Sequence, residues 1–227
     1  MNRNEHYEEL LKHTIGLDDT FRFHCSECGQ CCKNRDDILL NPYDLYRIAR
    51  FLNVEMGQVI QDYCVWYVGQ TSKLPVVAVN IQGDCPFLED NRCHIHSAKP
   101  TVCALYPLGR AATENGIRYL VQDVSCGTTD EVHTVREWLS GYGLEDSEEW
   151  FSEWHKTIIP LTERMNAIAE KTSERILNTI VQGLLVAFYV NYDIERPFME
   201  QFHENVSKID GLLTGIEKTI THMTCGV

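Results

Sequence analysis

Four cysteines fall within eight consecutive positions of the stretch F-H-C-S-E-C-G-Q-C-C-K-N: Cys25, Cys28, Cys31 and Cys32. At two-residue spacing, thiolates converge while the amides between them turn toward sulfur, as in iron–sulfur ligand runs and zinc knuckles. The adjacent pair Cys31-Cys32 complicates a single-ion site. Neighbouring side chains diverge in most backbone conformations, so one of the two stands behind the ligands, or the pair serves two sites or a polynuclear one. Four more thiols follow at wider gaps, at Cys85, Cys93, Cys103 and Cys126. The eight make two sets of four by arithmetic. One four-ligand cluster with four supporting or alternative thiols fits equally well.

The other two cysteines read differently. Cys64, in D-Y-C-V-W-Y, has the setting of a small core residue. Cys225 reads as a free thiol near the end of the chain. His24, His94 and His96 flank the patterned cysteines and could each replace a thiolate, although such histidines more commonly donate to sulfur or backbone. Zinc sites tend to show two clean C-x2-C pairs, whereas the second set here has wide and unequal gaps. The pattern therefore points to one or two iron–sulfur clusters, of the [4Fe–4S] type, with zinc as the alternative. No G-x-G-x-x-G follows a strand, and the sequence contains neither a phosphate-cradling glycine loop nor a G-x-S-x-G elbow.

Composition narrows the setting. The 227 residues are 44% hydrophobic and 23% charged, ordinary values for a globular chain able to bury a substantial core. The opening M-N-R-N-E-H-Y-E-E-L has no apolar core of a secretion signal, and the most apolar run, Ile180 to Val190, is too short to span a membrane. A cytoplasmic location follows, and in a reducing compartment patterned cysteines are metal ligands or catalytic groups rather than disulfides. With 20 Lys+Arg against 33 Asp+Glu, the formal net charge is −13. Such a chain lacks the basic footprint for phosphate backbones, so nucleic acid and membrane are not expected partners.

The elements that must position the thiols differ between the two halves. Asn4-Glu5 opens a short amphipathic helix, and Asn41-Pro42 caps another running from Tyr43 to Leu52. Leu74 to Ile81 reads as a strand. Asp90-Asn91 makes a tight turn between short strands, and Glu114-Asn115-Gly116 a hairpin leading into a strand from Ile117 to Val124. Beyond Cys126 the pattern is helical. Thr128-Thr129-Asp130-Glu131 offers a capping-box start for a helix through about Leu139, and Ser147-Glu148-Glu149 starts another. Pro160 is expected to end or kink the latter near Ile158-Ile159. Ile176, Ile180, Leu184 and Phe188, then Phe202, Val206, Ile209, Leu213, Ile216 and Ile220, draw the seams of two long helices. These stripes face a core, a second copy of the chain or a protein partner.

Taken together, C-S-E-C-G-Q-C-C, I-L-L-N-P-Y-D, C-P-F-L-E-D, C-H-I and P-T-V-C-A-L-Y-P, in that order, resemble the CxxCxxCC family of zinc- or iron-chelating proteins, also described as YkgJ-like cysteine-cluster proteins. The resemblance covers roughly Phe21 to Cys126. It implies a bound metal centre, usually iron–sulfur, with Cys25, Cys28, Cys31, Cys32, Cys85, Cys93, Cys103 and Cys126 as ligands. The chain departs from many relatives at Lys99 and Ala104, where they carry arginine, and at His96, where tyrosine is common.

The expected architecture is α+β: a cysteine-rich metal-binding domain with an N-terminal helix over residues 1–127, then a helical region over 128–227. Three functions fit. The first is an iron–sulfur protein that transfers electrons or senses redox state with a protein partner docked on the C-terminal helices. A second, by similarity to flagellin lysine N-methylases, is methyl transfer from S-adenosylmethionine to protein. The third is a zinc-stabilised interaction module.

Overall fold

The structure, a computed structural model, describes residues 11–225 except 34, 36, 114, 115, 125 and 146, and only the backbone of 223–225. The helix expected from Asn4-Glu5 and the side chain of Cys225 lie outside the described residues. The chain is α+β, with short strands and helices in the N-terminal part and long helices at the C-terminal end. In chain order the elements are β1 (Thr20–His24), β2 (Leu39–Leu40), α1 (Pro42–Leu52), α2 (Met56–Tyr63), β3 (Cys64–Val68), β4 (Pro75–Val79), β5 (Leu88–Glu89) and β6 (Arg92–Cys93). There follow α3 (Thr101–Leu105), β7 (Leu108–Thr113), β8 (Gly116–Val121), β9 (Thr128–Thr134), α4 (Val135–Ser140), α5 (Ser147–Ala169), α6 (Glu174–Tyr189) and α7 (Phe198–Cys225). Among the described residues no helix is long and apolar enough to cross a membrane.

These elements sort into two compact units, each made of two stretches of chain: Met1–Ile38 with Ile81–Glu149, and Leu39–Asn80 with Trp150–Val227. The first, the cysteine unit, is built on three antiparallel ribbons, β1–β9, β5–β6 and β7–β8. Phe21, Phe23, Tyr119, Trp138 and Leu139 are buried there. The hydroxyl of Tyr119, a fully buried residue, donates to Glu148 Oε1 at 2.7 Å.

The second, the helical unit, carries a three-stranded antiparallel sheet in the order β2–β4–β3. Helix α1 starts as its sequence predicts. Asn41 accepts from the Asp44 amide, Asp44 accepts from the Asn41 amide, and Pro42 fills the first turn, where its missing N–H has no partner to lose. Helices α6 and α7 bury Ile180, Val181, Leu184, Phe188, Phe202, Ile209 and Leu213, close to the predicted seams, but Ile176, expected in the first seam, is exposed, and Val206, Ile216 and Ile220 of the second are half-buried. Arg164 of α5 holds α7 through Asp210 at 2.6 Å and Glu217 at 2.7 Å.

Two local expectations are corrected. The run Thr128–Thr134 is strand, not helix, because its β-branched residues pair with β1, from Thr20 opposite Thr134 to His24 opposite Thr128. The capping box lies six residues later, where Thr134 and Glu137 satisfy each other's amides and start α4. At Pro160 it is the expected end that is overturned, since helix α5 runs on to Ala169. Proline deprives the Lys156 carbonyl of its helical partner, but Lys156 and Pro160 are both exposed, so water can take that place.

Candidate metal centre

Strand pairing brings distant cysteines to one end of the β1–β9 ribbon. His24 pairs with Thr128, so Cys25 leaves β1 beside the point where Cys126 and Gly127 enter β9. Gly127 has φ +74°, and a Cβ there would lie 2.5 Å from both the His24 carbonyl and the Phe23 ring. Only glycine allows this crossing. After Cys28 the chain turns at Gly29, φ +70°, into a single 3₁₀ turn, Gln30–Cys32, closed by the Cys32 amide on the Gly29 carbonyl at 3.0 Å. The Cys85 amide donates to the Cys32 carbonyl at 2.9 Å, tying the second cysteine stretch to the first. The β5–β6 hairpin then presents Cys93, its turn made by Asp90 and Asn91, both with positive φ, as expected of this dipeptide. Lys33 Nζ clamps that turn by donating to Asn91 Oδ1 at 2.9 Å.

The result is a cleft with a cavity of about 40 Å³, lined by Cys25, Cys28, Cys31, Cys32, Cys93 and Cys126 together with His96, Lys99 and Tyr106. That is room for a few atoms. Cys85 and Cys103 do not line it, but both act electrostatically on Cys32. All eight sulfurs are free thiols, Cys28 exposed and the others half-buried. Contrary to the expectation that adjacent thiols diverge, Cys31 and Cys32 Sγ stand 4.0 Å apart and line the same cleft, because the 3₁₀ turn curls both toward it. Two thiolates on one tetrahedral ion, each about 2.3 Å from the metal, would stand roughly 3.8 Å apart.

Sulfur charge is managed by backbone donors. The Gln30 amide holds the Cys28 thiol below its ordinary pKa, against a smaller effect of burial. Burial raises Cys85 and Cys93, and amides two residues ahead, Phe87 and Ile95, partly offset it. The same i to i+2 amide thus serves three cysteines. Between the adjacent pair a shared hydrogen bond pushes Cys31 up and Cys32 down. The Tyr106 hydroxyl lies 3.3 Å from Cys126 Sγ, and its pKa is raised, chiefly by burial.

Among the described residues, no three His, Cys, Asp or Glu side chains stand together as a ready-made metal site. The donor set nevertheless fits a thiophilic metal. Thiols from separate stretches face one small cleft, backbone N–H groups are aimed at sulfur, and one pair is already near tetrahedral ligand separation. Of the three flanking histidines, His24 is engaged by Glu131 at 2.8 Å and His94 lies 3.4 Å from Glu89, while His96 lines the cleft. Burial keeps the His96 pKa low, so it faces the sulfurs as a neutral ring. Three contributors carry no ligand signal in the sequence. Tyr142 belongs to no motif, while Lys99 adjoins P-T-V-C-A-L-Y-P and Tyr106 lies within it, but neither residue type at that place reads as a ligand.

No curated protein and no solved structure matches the chain. Residues 24–127 do match a family described as "CxxCxxCC: Putative zinc- or iron-chelating domain". The match begins beside Cys25 and ends just past Cys126, enclosing all eight patterned thiols. Residues 24–127 therefore form a domain of the CxxCxxCC family.

Proposed function

We propose that the domain holds an iron–sulfur cluster and that the protein transfers electrons or senses redox state together with a protein partner. The observation that carries this reading is the surplus of sulfur around one cleft. A tetrahedral zinc ion takes four ligands, whereas six cysteines line this cavity and two more bear on Cys32. An iron–sulfur cluster would supply one-electron chemistry at a potential set by charge, hydrogen bonds to sulfur and burial. The chain's own groups suit such chemistry. The Gln30, Phe87 and Ile95 amides donate to sulfur, Tyr106 reaches Cys126, and Phe23 packs edge-on against Tyr106 at 6.0 Å. An electron carrier must hand its electron to another molecule, which is why the reading includes a partner.

The 4.0 Å separation of Cys31 and Cys32 suits two ligands on one iron, as in a [2Fe–2S] centre. A [4Fe–4S] cluster takes one thiolate per iron and would use only one of the pair. The same separation favours a second reading, a structural zinc ion bound by the pair and two other thiols. Anaerobic purification followed by iron, sulfide and zinc counts, absorption and Mössbauer spectra separates these. A brown protein with matching iron and sulfide that is reversibly reduced is the expected result. A colourless protein with stoichiometric zinc and no sulfide would remove the redox reading and leave the structural one.

A further inference from the structure

Lys99 is the one lysine or arginine among the described residues lining the cysteine cleft. Its ammonium lies 5.2 Å from the centroid of the Tyr142 ring, a cation–π arrangement that holds a flexible side chain over one spot. The ring is itself fixed. Trp138 packs edge-on against Tyr142 at 5.7 Å, and Trp138 Nε1 donates to the Ala104 carbonyl at 3.0 Å. On another side Tyr142 meets the His96 ring at 5.6 Å. The helix α4, the turn after it and α3 therefore cooperate to place one positive charge at the wall of a cavity rich in sulfur.

Nearby cations are differently employed. Arg35 is gripped by both oxygens of Asp37, at 2.6 and 2.7 Å, and Lys33 is spent on Asn91. Glu27, also on the cleft wall, opposes Lys99 in its effect on His96. A thiolate-bound metal centre carries net negative charge, four thiolates around a dication leaving about −2, and one added electron makes it more negative still.

We infer that Lys99, clamped on Tyr142, is the positioned countercharge of the thiolate centre: it stabilises the loaded and reduced state without ligating the metal. This rests on the metal centre proposed above, and its redox form on the iron–sulfur occupant. Removing the charge while keeping the length, in Lys99→Met, makes reduction less favourable. The reduction equilibrium shifts about tenfold, a midpoint lower by roughly 59 mV for one electron. Lys99→Arg keeps the charge and stays within about twofold of the parent.

The test uses the full chain as purified, with metal and sulfide counted first on the parent and both variants, so that failure of the iron–sulfur reading is scored separately. If iron and sulfide are present, a potentiometric titration followed by electron paramagnetic resonance reads the midpoint. If zinc is found instead, competition against a chromogenic chelator reads the apparent dissociation constant, expected about tenfold weaker in Lys99→Met. Tyr142→Leu provides an independent arm, because it leaves the charge and removes the ring that clamps it, together with that ring's contacts to Trp138 and His96. It should shift the same quantity in the same direction by a smaller factor, and it decides the matter should Lys99→Met fail to load metal. A Lys99→Met protein matching the parent, or a Lys99→Arg protein falling with it, would overturn the inference.

Discussion

In the helical unit, Trp150, Phe188, Phe198 and Phe202 meet ring to ring at centroid separations between 4.7 and 6.4 Å, with Leu184 and Leu213 fully buried beside α6 and α7. In the cysteine unit, Leu88–Glu89 and Arg92–Cys93 are strands of only two residues, and the segments between carry half-buried thiols. One unit removes enough apolar surface from water to stand on burial. The other arranges its loops around sulfur, and loops ordered in this way need a bond, covalent or coordinate, to offset the entropy of fixing them. Cysteine patterning thus supplements a smaller core around Phe21, Phe23, Tyr119 and Trp138, and each unit should fail by its own route.

Metal removal gives the largest expected effect. Structural zinc contributes about 10–16 kcal/mol of apparent binding energy in small metal-folded peptides. A thiolate centre here should stabilise the cysteine unit on a comparable scale. Chelation under reducing conditions should therefore abolish amide-exchange protection in β1, β9 and the β5–β6 hairpin while α6 and α7 keep theirs. Equal loss in both units would mean that they do not differ in this way. The converse experiment is Phe202→Ala. This ring is 1% exposed and touches Trp150 at 4.7 Å, so the change should cost about 3–5 kcal/mol of unfolding free energy, read by denaturant titration, with metal stoichiometry unchanged.

A smaller, local effect is expected at Gly127. Alanine there would force an L side chain into φ +74° and drive its Cβ against the His24 carbonyl and Phe23 ring, costing roughly 1–3 kcal/mol. The damage falls where Cys25 and Cys126 come together. Gly127→Ala should thus weaken metal retention against a chelator, while leaving the thermal transition of the helical unit in place. Normal retention would show that the β1–β9 crossing does not position those thiols.

What the sequence discloses follows the range of the interactions. The Asn41 N-cap with Pro42 behind it, the Asp90-Asn91 turn and the α6 and α7 seams are local patterns, and the structure forms them close to where the residues imply. Long-range pairing is different. Thr128–Thr134 carries a serviceable helix start in T-T-D-E, and only its pairing with Thr20–His24, more than a hundred residues earlier, makes it a strand. In the same way, nothing in Leu39–Asn80 marks it as packing with the helices after Trp150, although it interrupts the cysteine-rich stretch. The thiols are visible because metal-ligand spacing is a local signal. Lys99 lines the cleft and is held there by a cation–π contact to Tyr142, which leaves no spacing to read.

Cys64 provides the finest distinction between the units, since it is a thiol outside the cysteine unit. It opens β3 opposite Val79 in the helical unit's sheet, and burial alone pushes its pKa up to about 12. At pH 8 only about one molecule in ten thousand would carry the thiolate there. Metal-free protein treated with iodoacetamide at pH 8 should label the thiols of the opened cysteine unit, Cys28 among them, first, and Cys64 last. The sign of the accompanying pH effect is fixed by linkage. The unfolded thiol releases its proton near pH 9 and the folded one near 12, so the contribution of Cys64 is complete below pH 9 and is lost as pH rises toward 12. Cys64→Ala should remove that alkaline loss from the helical unit's stability profile. Rapid labelling of Cys64 by mass spectrometry, at the rate of Cys28, would show that this thiol is not shielded and that the helical unit is looser there than its burial implies.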